Sequence, residues 1–428
     1  MKDIEKSNEQ SNTRLPTKVD PAGFPHPPSA GGKAVPATIE NVAHLLMEKG
    51  IQARFNIVKK RLELSHTSGA TVSMNEVASL ALLNGIGTNW LYPFVGELGS
   101  RNPYSPVATW IGSKPWDHKD RLQELYDTVR ETKEYPAGLK EILLRRWLLS
   151  ATKAALANGP FRARGVLTFQ GPQGVGKTSW ISALMPKGRL REDSLLLDHH
   201  LDGSNKDSVI NAISHWIVEI GELDSSFKKD VARLKGFLTN DCDKLRKPYG
   251  RDVEDYPRRT VFAATVNEER FLVDHTGNSR WWTIAVESFD FQHGIDMQQV
   301  YAQLAVALDG EDQWWLTQAE EKRLADYNQR HRSTTLIAEL FADEVDIERA
   351  GNGPFMTPTE VLRRIGVEKP TNAQCKECGG LLRELIGRPS RIHGRDKWRV
   401  PWRDPTDRVP TSVTLRGPWA ELSEEPVF

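Results

Sequence analysis

Residues 171–178 read Gly-Pro-Gln-Gly-Val-Gly-Lys-Thr, a complete G-x-x-x-x-G-K-[ST] pattern between the apolar run "VLTFQ" and an amphipathic stretch. Its glycines let successive backbone N–H groups turn inward around a phosphate. Lys177 then reaches the β and γ phosphates, and Thr178 offers its hydroxyl to Mg²⁺. A helix starting at Thr178 aims its positive dipole end at the same point. Gly171, Gly174, Val175, Gly176, Lys177, Thr178 and Ser179 are therefore expected to hold a nucleoside triphosphate.

A phosphate cradle serves kinases, switches and motors alike, so the acidic groups that follow must decide between them. About forty residues on, "HWIVEIGELD" puts Glu219 and Glu222 at the end of an apolar strand. There one carboxylate can hold the magnesium shell beside Thr178 and the other can polarise an attacking water. The Glu-x-x-Glu spacing leaves their order open, with Glu219 preferred for the metal and Glu222 for the water. A second apolar strand, "VFAATV", ends at Asn267, whose amide either senses the γ phosphate or caps the chain that follows. Arg280 precedes a Trp-Trp strand; it either reaches a neighbouring subunit's nucleotide or stacks on the tryptophans.

These groups need strands that end at one edge of a sheet. From about 160 to 330 apolar segments alternate with helical patterns, and the strand, Gly-rich loop and helix at the start argue for a mostly parallel α/β sheet. Upstream, residues 1–37 are charged and then rich in Pro, Gly and Ser, the composition of a disordered leader. Residues 38–100 read as a small α+β unit, with "TIENVAHLLMEKG" as a helix and "IQARFNIVKKRLEL" alternating like a strand. A helical lead-in follows over 101–158, with one helix beginning near Asp117 and a long amphipathic one from Leu139 to Ala157. The nucleotide domain is set at 159–335, a further domain at 350–405, and a tail at 406–428.

Composition limits the setting. Lys+Arg and Asp+Glu both number 57 in 428 residues, so a nucleic-acid partner must be held by a local patch and not by net charge. Three cysteines, no apolar signal segment and no run long enough to span a bilayer predict a cytoplasmic protein without a membrane partner.

Taken together, "PYSPVATWIGSKPWDHKDRLQEL", "GPQGVGKT", "WIVEIGELDSSFKKDVARLKGFLT", "RKPYGR", "TVNEERFL" and "GNSRWW" resemble the virulence-associated protein E family. Its members are P-loop ATPases of phages, prophages and mobile islands, similar to superfamily 3 and D5-like helicases. The resemblance implies an AAA+ or superfamily 3 helicase-like core using ATP and Mg²⁺, and a homo-oligomeric ring on DNA, a hexamer first among the candidates. It makes Lys177 and Thr178 the phosphate and metal residues, Glu219 and Glu222 the acidic strand, Asn267 the sensor and Arg280 the interface arginine. The runner-up is a DNA-binding ATPase that does not translocate.

Two segments carry basic groups. In "DKLRKPYGR" Lys244, Arg246, Lys247 and Arg251 crowd around Tyr249, which suits a hairpin gripping a single strand; a solvated charged loop is the plain alternative. Farther on, "TPTEVLRRIG", "AQCKECGGLLRELIG" and "RPSRIHGRDKWRVP" follow the helix, helix, hairpin order of a winged helix. From Glu360 to Arg403 eleven Lys/Arg stand against five Asp/Glu, and Arg391, Arg395 and Lys397 of the hairpin are the candidate duplex contacts. Packing against the nucleotide domain is the other reading. Cys375-x-x-Cys378 lacks a second ligand pair, and "DHHLDG" puts adjacent histidines on opposite faces, so neither is assigned a metal.

Overall fold

The computed structural model of the chain describes residues 18–29, 31–221, 236–246, 253–269, 271–272, 278–331, 336–349 and 352–403. They fall into two compact units, one within 1–271 and 277–331, the other within 272–276 and 332–428. Among the described residues no helix is long and apolar enough to cross a membrane.

The first unit opens on a small α+β layer. Thr38 caps α1 (Ile39–Glu48), which buries Val42, Leu45 and Leu46. The alternating stretch expected to be one strand is a hairpin, β1 (Ile51–Asn56) and β2 (Arg61–His66). Asn56 Oδ1 turns the chain by accepting from the N–H groups of Val58 and Lys59, both at 3.0 Å. Helices α2 (Met74–Leu83) and α3 (Leu91–Ser100) follow, and β3 (Pro103–Tyr104) joins β1 in parallel.

Residues 18–29 and 31–37 depart from the expected disordered leader. Phe24 and Val35 are buried in the core of this layer. Asn41 Nδ2 donates to the carbonyls of His26 (2.8 Å) and Pro36 (2.9 Å), and Asn84 Oδ1 accepts from Val19 N at 2.7 Å. Two buried asparagines thus supply hydrogen bonds that a Pro- and Gly-rich segment cannot make to itself. Residues 1–17 lie outside the described residues.

Next come α4 (Pro106–Ile111), α5 (Leu122–Asp127), β4 (Val129–Glu131) and α6 (Leu139–Leu156). The helix expected near Asp117 starts at Leu122, because Asp117 is used in a bidentate pair with Arg121 (2.7 Å to each nitrogen). Helix α6 is buried on most of its surface, from Leu143 and Trp147 to Ala154, and is therefore a core helix and not the amphipathic one its charges suggested. Then follow β5 (Val166–Gln170), α7 (Lys177–Ala183), α8 (Arg189–Ser194), β6 (Leu195–His199), α9 (Lys206–Ile213) and β7 (Ile217–Ile220). The antiparallel hairpin of β8 (Cys242–Arg246) and β9 (Val253–Pro257) precedes β10 (Val261–Val266), β11 (Trp281–Phe289), α10 (Met297–Asp309) and α11 (Gln318–Asn328). The main sheet has the order β4-β11-β5-β10-β7-β6 and is parallel except for β4. Its central strands read "IVEI" and "VFAATV" because both faces are covered.

The tip of the β1–β2 hairpin enters this larger core. Val58 is buried among its side chains, Lys59 pairs with Asp193, and Lys60 Nζ donates to the carbonyl of Ile213 at the end of α9. Burial pushes the Lys60 ammonium down to about 8; Asp243 works against the shift, Arg258 and Arg259 add to it. Above that value the folded chain has released a proton that the unfolded chain keeps until about 10.5, so stability is expected to rise with pH between the two. Lys60→Met should flatten a rise of up to about 3 kcal/mol. Denaturant unfolding of both proteins near neutrality and near pH ~10 checks this.

In the second unit α12 (Leu336–Glu344), β12 (Phe355–Met356), α13 (Pro358–Arg364), α14 (Asn372–Leu385), β13 (Ser390–Ile392) and β14 (Arg395–Arg399) enclose their own core. The sheet order is β12-β14-β13. The expected start at 350 is too late: Ile337, Phe341 and Val345 recur one turn apart and pack with Val361, Leu362 and Trp398. Cys375 and Cys378 both sit on α14; Cys378 is buried and its thiol is pushed up to about 12. Among the described residues no cluster of His, Cys, Asp and Glu suits a metal ion.

Candidate nucleotide site and basic surfaces

Strands β5 and β10 are neighbours, yet the chain leaving β5 runs to β6 on one side while the chain leaving β10 runs to β11 on the other. Connections that part in this way open a crevice at the carboxyl ends of the strands. Lys177 bridges it. Its Nζ donates to the carbonyls of Gly171 (2.6 Å) and Pro172 (2.8 Å) and to Asn267 Oδ1 (2.8 Å). The side chain is buried, and burial lowers its pKa while Glu219 pulls the other way.

The loop conformation explains its residues. Gly176 has φ +98°, and a Cβ there would lie 2.7 Å from Phe291 Cδ1, so both backbone and space demand glycine. Val175 is half-buried against the core, and Ser179 is exposed.

Glu219 lies on β7 with no exposed surface. Its Oε1 accepts from the hydroxyls of Thr178 (2.9 Å) and Thr265 (2.7 Å), and Oε2 accepts from Asp198 N (2.8 Å). Thr178 and Glu219 together offer the oxygen donors that a hard divalent cation prefers. Thr265 and Asp198 escaped the sequence reading. The one local signal for Asp198 is Gly221, where a Cβ would come 2.0 Å from Asp198 Oδ1. Asp198 itself adopts a left-handed backbone, with φ 52°.

Lys177, Thr178, Glu219 and Asn267 thus come together. Glu222 lies outside the described residues. Arg280 ends a 3-10 turn (Asn278–Arg280) just before Trp281, which pairs with Val166 at the start of β5. It is therefore about 13 Å along β5 from the loop that follows Gln170, at the opposite end of the sheet.

Of the basic groups before β10, Lys244 is exposed and stands 4.0 Å from Asp255 across the hairpin. Arg246 ends β8, while Lys247, Tyr249 and Arg251 fall outside the described residues. The hairpin root is fixed: Arg258 holds Asp243 through two nitrogens (2.7 and 2.5 Å), with the guanidinium over the Phe237 ring at 4.6 Å. Tyr256 stacks on Phe55 of β1 with centroids 6.0 Å apart. In the second unit Arg391 and Arg395 are exposed and Lys397 is half-buried, all on the β13–β14 hairpin. Asp396 stands 3.4 Å from Arg391 and 3.9 Å from Arg383.

A model of the virulence-associated protein E-like domain matches residues 111–333, just over half of the chain. The chain belongs to the virulence-associated protein E-like family. The matched segment runs from the end of α4 past α11 and holds the whole crevice, so in this virulence-associated protein E-like chain the loop, the acidic strand and Arg280 share one family domain. The curated proteins give no match. Among solved structures, the apo C-terminal region of NrS-1 is similar at 16% identity, over 81% of this chain and 86% of that one, with a TM-score of 0.37. Its A form gives 14% identity, 85% and 98% coverage, and a TM-score of 0.38.

Proposed function

We propose that the chain is a DNA-dependent ATPase, working as a ring-forming helicase in the replication of a phage, prophage or other mobile element. The observation that carries this reading is the meeting of Lys177, Thr178, Glu219 and Asn267 at one crevice, contributed by two strand ends and a helix start. In this reading the loop N–H groups and Lys177 bind the ATP phosphates, Thr178 and Glu219 hold Mg²⁺, Glu222 polarises the attacking water and Asn267 senses the γ phosphate. The distance of Arg280 from its own loop favours a role toward a neighbouring subunit, hence a homo-oligomer, with a hexamer as the expected ring.

DNA is assigned to the basic surfaces. Lys244 and Arg246, with Lys247, Tyr249 and Arg251, would grip a single strand inside the ring. The order α12, β12, α13, α14, β13, β14 supports a winged helix, whose Arg391, Arg395 and Lys397 would contact duplex phosphates. Replacing those three by alanine is expected to weaken duplex binding and to lower the slope of log affinity against log salt by up to about 0.9 per lost contact. Basal ATP hydrolysis should be unchanged. Titrations of labelled duplex and single strand at several salt concentrations, with ATPase rates with and without single-stranded DNA, test both parts. Hydrolysis indifferent to DNA, with no strand displacement on a forked duplex, would overturn the proposal.

A further inference from the structure

The phosphate loop accounts for one end of a nucleotide, and the structure offers a place for the other. Beyond α7 lies a cavity of about 490 Å³, bounded by Trp110, Met185, Phe291, Ile295 and Met297 among others. That volume lies within the range of small-ligand sites. It adjoins the loop through a single side chain. Phe291 lines the cavity and presses on Gly176, where a Cβ would be 2.7 Å from its Cδ1 and 2.9 Å from its Cε1.

Phe291 remains 40% exposed, whereas its neighbour Phe289 is buried against Phe169 and Trp180. An aromatic ring left partly open beside a glycine loop adds nothing to the core and offers a flat face to a ligand. The opposite parts of the cavity are rigid. Trp110 packs edge-on against the buried Tyr301, with centroids 5.5 Å apart. Arg191 spends its guanidinium on the Met185 carbonyl and the Ser182 hydroxyl, so it closes the end of α7 and is not aimed at a ligand anion. His293 accepts from Ile295 N through Nδ1 (3.1 Å), and burial lowers its pKa, so that part of the lining is an uncharged ring at neutral pH. Helix α7 has seven residues, about 10 Å, and the cavity is lined by Ala183 at its far end.

We propose that this cavity is the nucleobase subsite of the triphosphate site, with Phe291 as its stacking face. The inference rests on the nucleotide reading given above. Recognition is by apolar and aromatic contact, so purine triphosphates bind more tightly than pyrimidine ones, whose smaller rings cover less of Phe291.

Calorimetric binding of Mg·ATP, Mg·CTP and Mg·tripolyphosphate to the full chain and to Phe291→Ala and Phe291→Trp separates base from phosphate recognition. Phe291→Ala is expected to weaken ATP about tenfold, the loss typical of one base–aromatic stack, and to leave tripolyphosphate within about twofold. Phe291→Trp should restore ATP binding. Unchanged ATP affinity in Phe291→Ala, an equal loss for tripolyphosphate, or CTP binding as tightly as ATP would each overturn the proposal. If the parent binds tripolyphosphate and Lys177→Ala does not, the phosphate reading stands whatever Phe291 does. If the parent binds none of the three probes, the phosphate reading itself fails and takes the base subsite with it.

Discussion

Lys177→Ala is expected to lower ATP turnover by about a thousandfold or more, the scale on which a preorganised positive donor acts on developing phosphate charge. From the sequence alone, the β and γ phosphates are the partners expected of this lysine. Instead its ammonium is buried and satisfied by three oxygens, from Gly171, Pro172 and Asn267. Alanine therefore also leaves acceptors unpaired, at about 1–3 kcal/mol of stability. That loss is small enough for the variant to remain folded. Phosphate release and thermal unfolding, measured on the same sample, distinguish the two effects. Near-normal turnover in a folded variant would remove the loop from the chemistry.

The largest effect on stability is expected at Arg258. It has no exposed surface, lies over Phe237, and is paired with Asp243, itself 5% exposed. Arg258→Met strands a buried carboxylate and should cost about 3–5 kcal/mol, whereas the double change with Asp243→Leu should recover most of it, since the pair's attraction roughly offsets its own desolvation. Denaturant unfolding of both variants and the parent decides the matter. A single variant as stable as the parent would show that water reaches Asp243 and that the hairpin root is looser than drawn. Because β8 carries Lys244 and Arg246, the proposed single-strand grip is also expected to fail in the single variant before nucleotide binding does.

What the sequence made legible followed chain locality. The loop from Gly171 to Thr178 is contiguous, so its pattern identifies it without reference to the rest of the chain. Glu219 and Asn267 were found because each ends an apolar run, and parallel strands bring such ends to one edge. Thr265 and Asp198 were not, since one hydroxyl in a buried strand and one backbone N–H at the end of β6 acquire meaning only when β6, β7 and β10 lie side by side. The packed segments 18–29 and 31–37 were missed for the opposite reason. Their composition is that of a linker, and two apolar anchors with two distant asparagines outweigh that average. Helix α12 was passed over because its apolar stripe is short and flanked by acids, and its partners are Val361, Leu362 and Trp398 farther along the chain.

The docked tip of the β1–β2 hairpin separates descent from stability. The family segment begins at residue 111, but Val58 fills part of its core, Lys59 neutralises Asp193 on α8, and Lys60 closes the end of α9. A fragment cut at the family boundary would begin life with a hole, an acid left with Arg189 as its partner, and an Ile213 carbonyl without its lysine donor. The inherited module is thus not free-standing; it needs a plug from the chain before it.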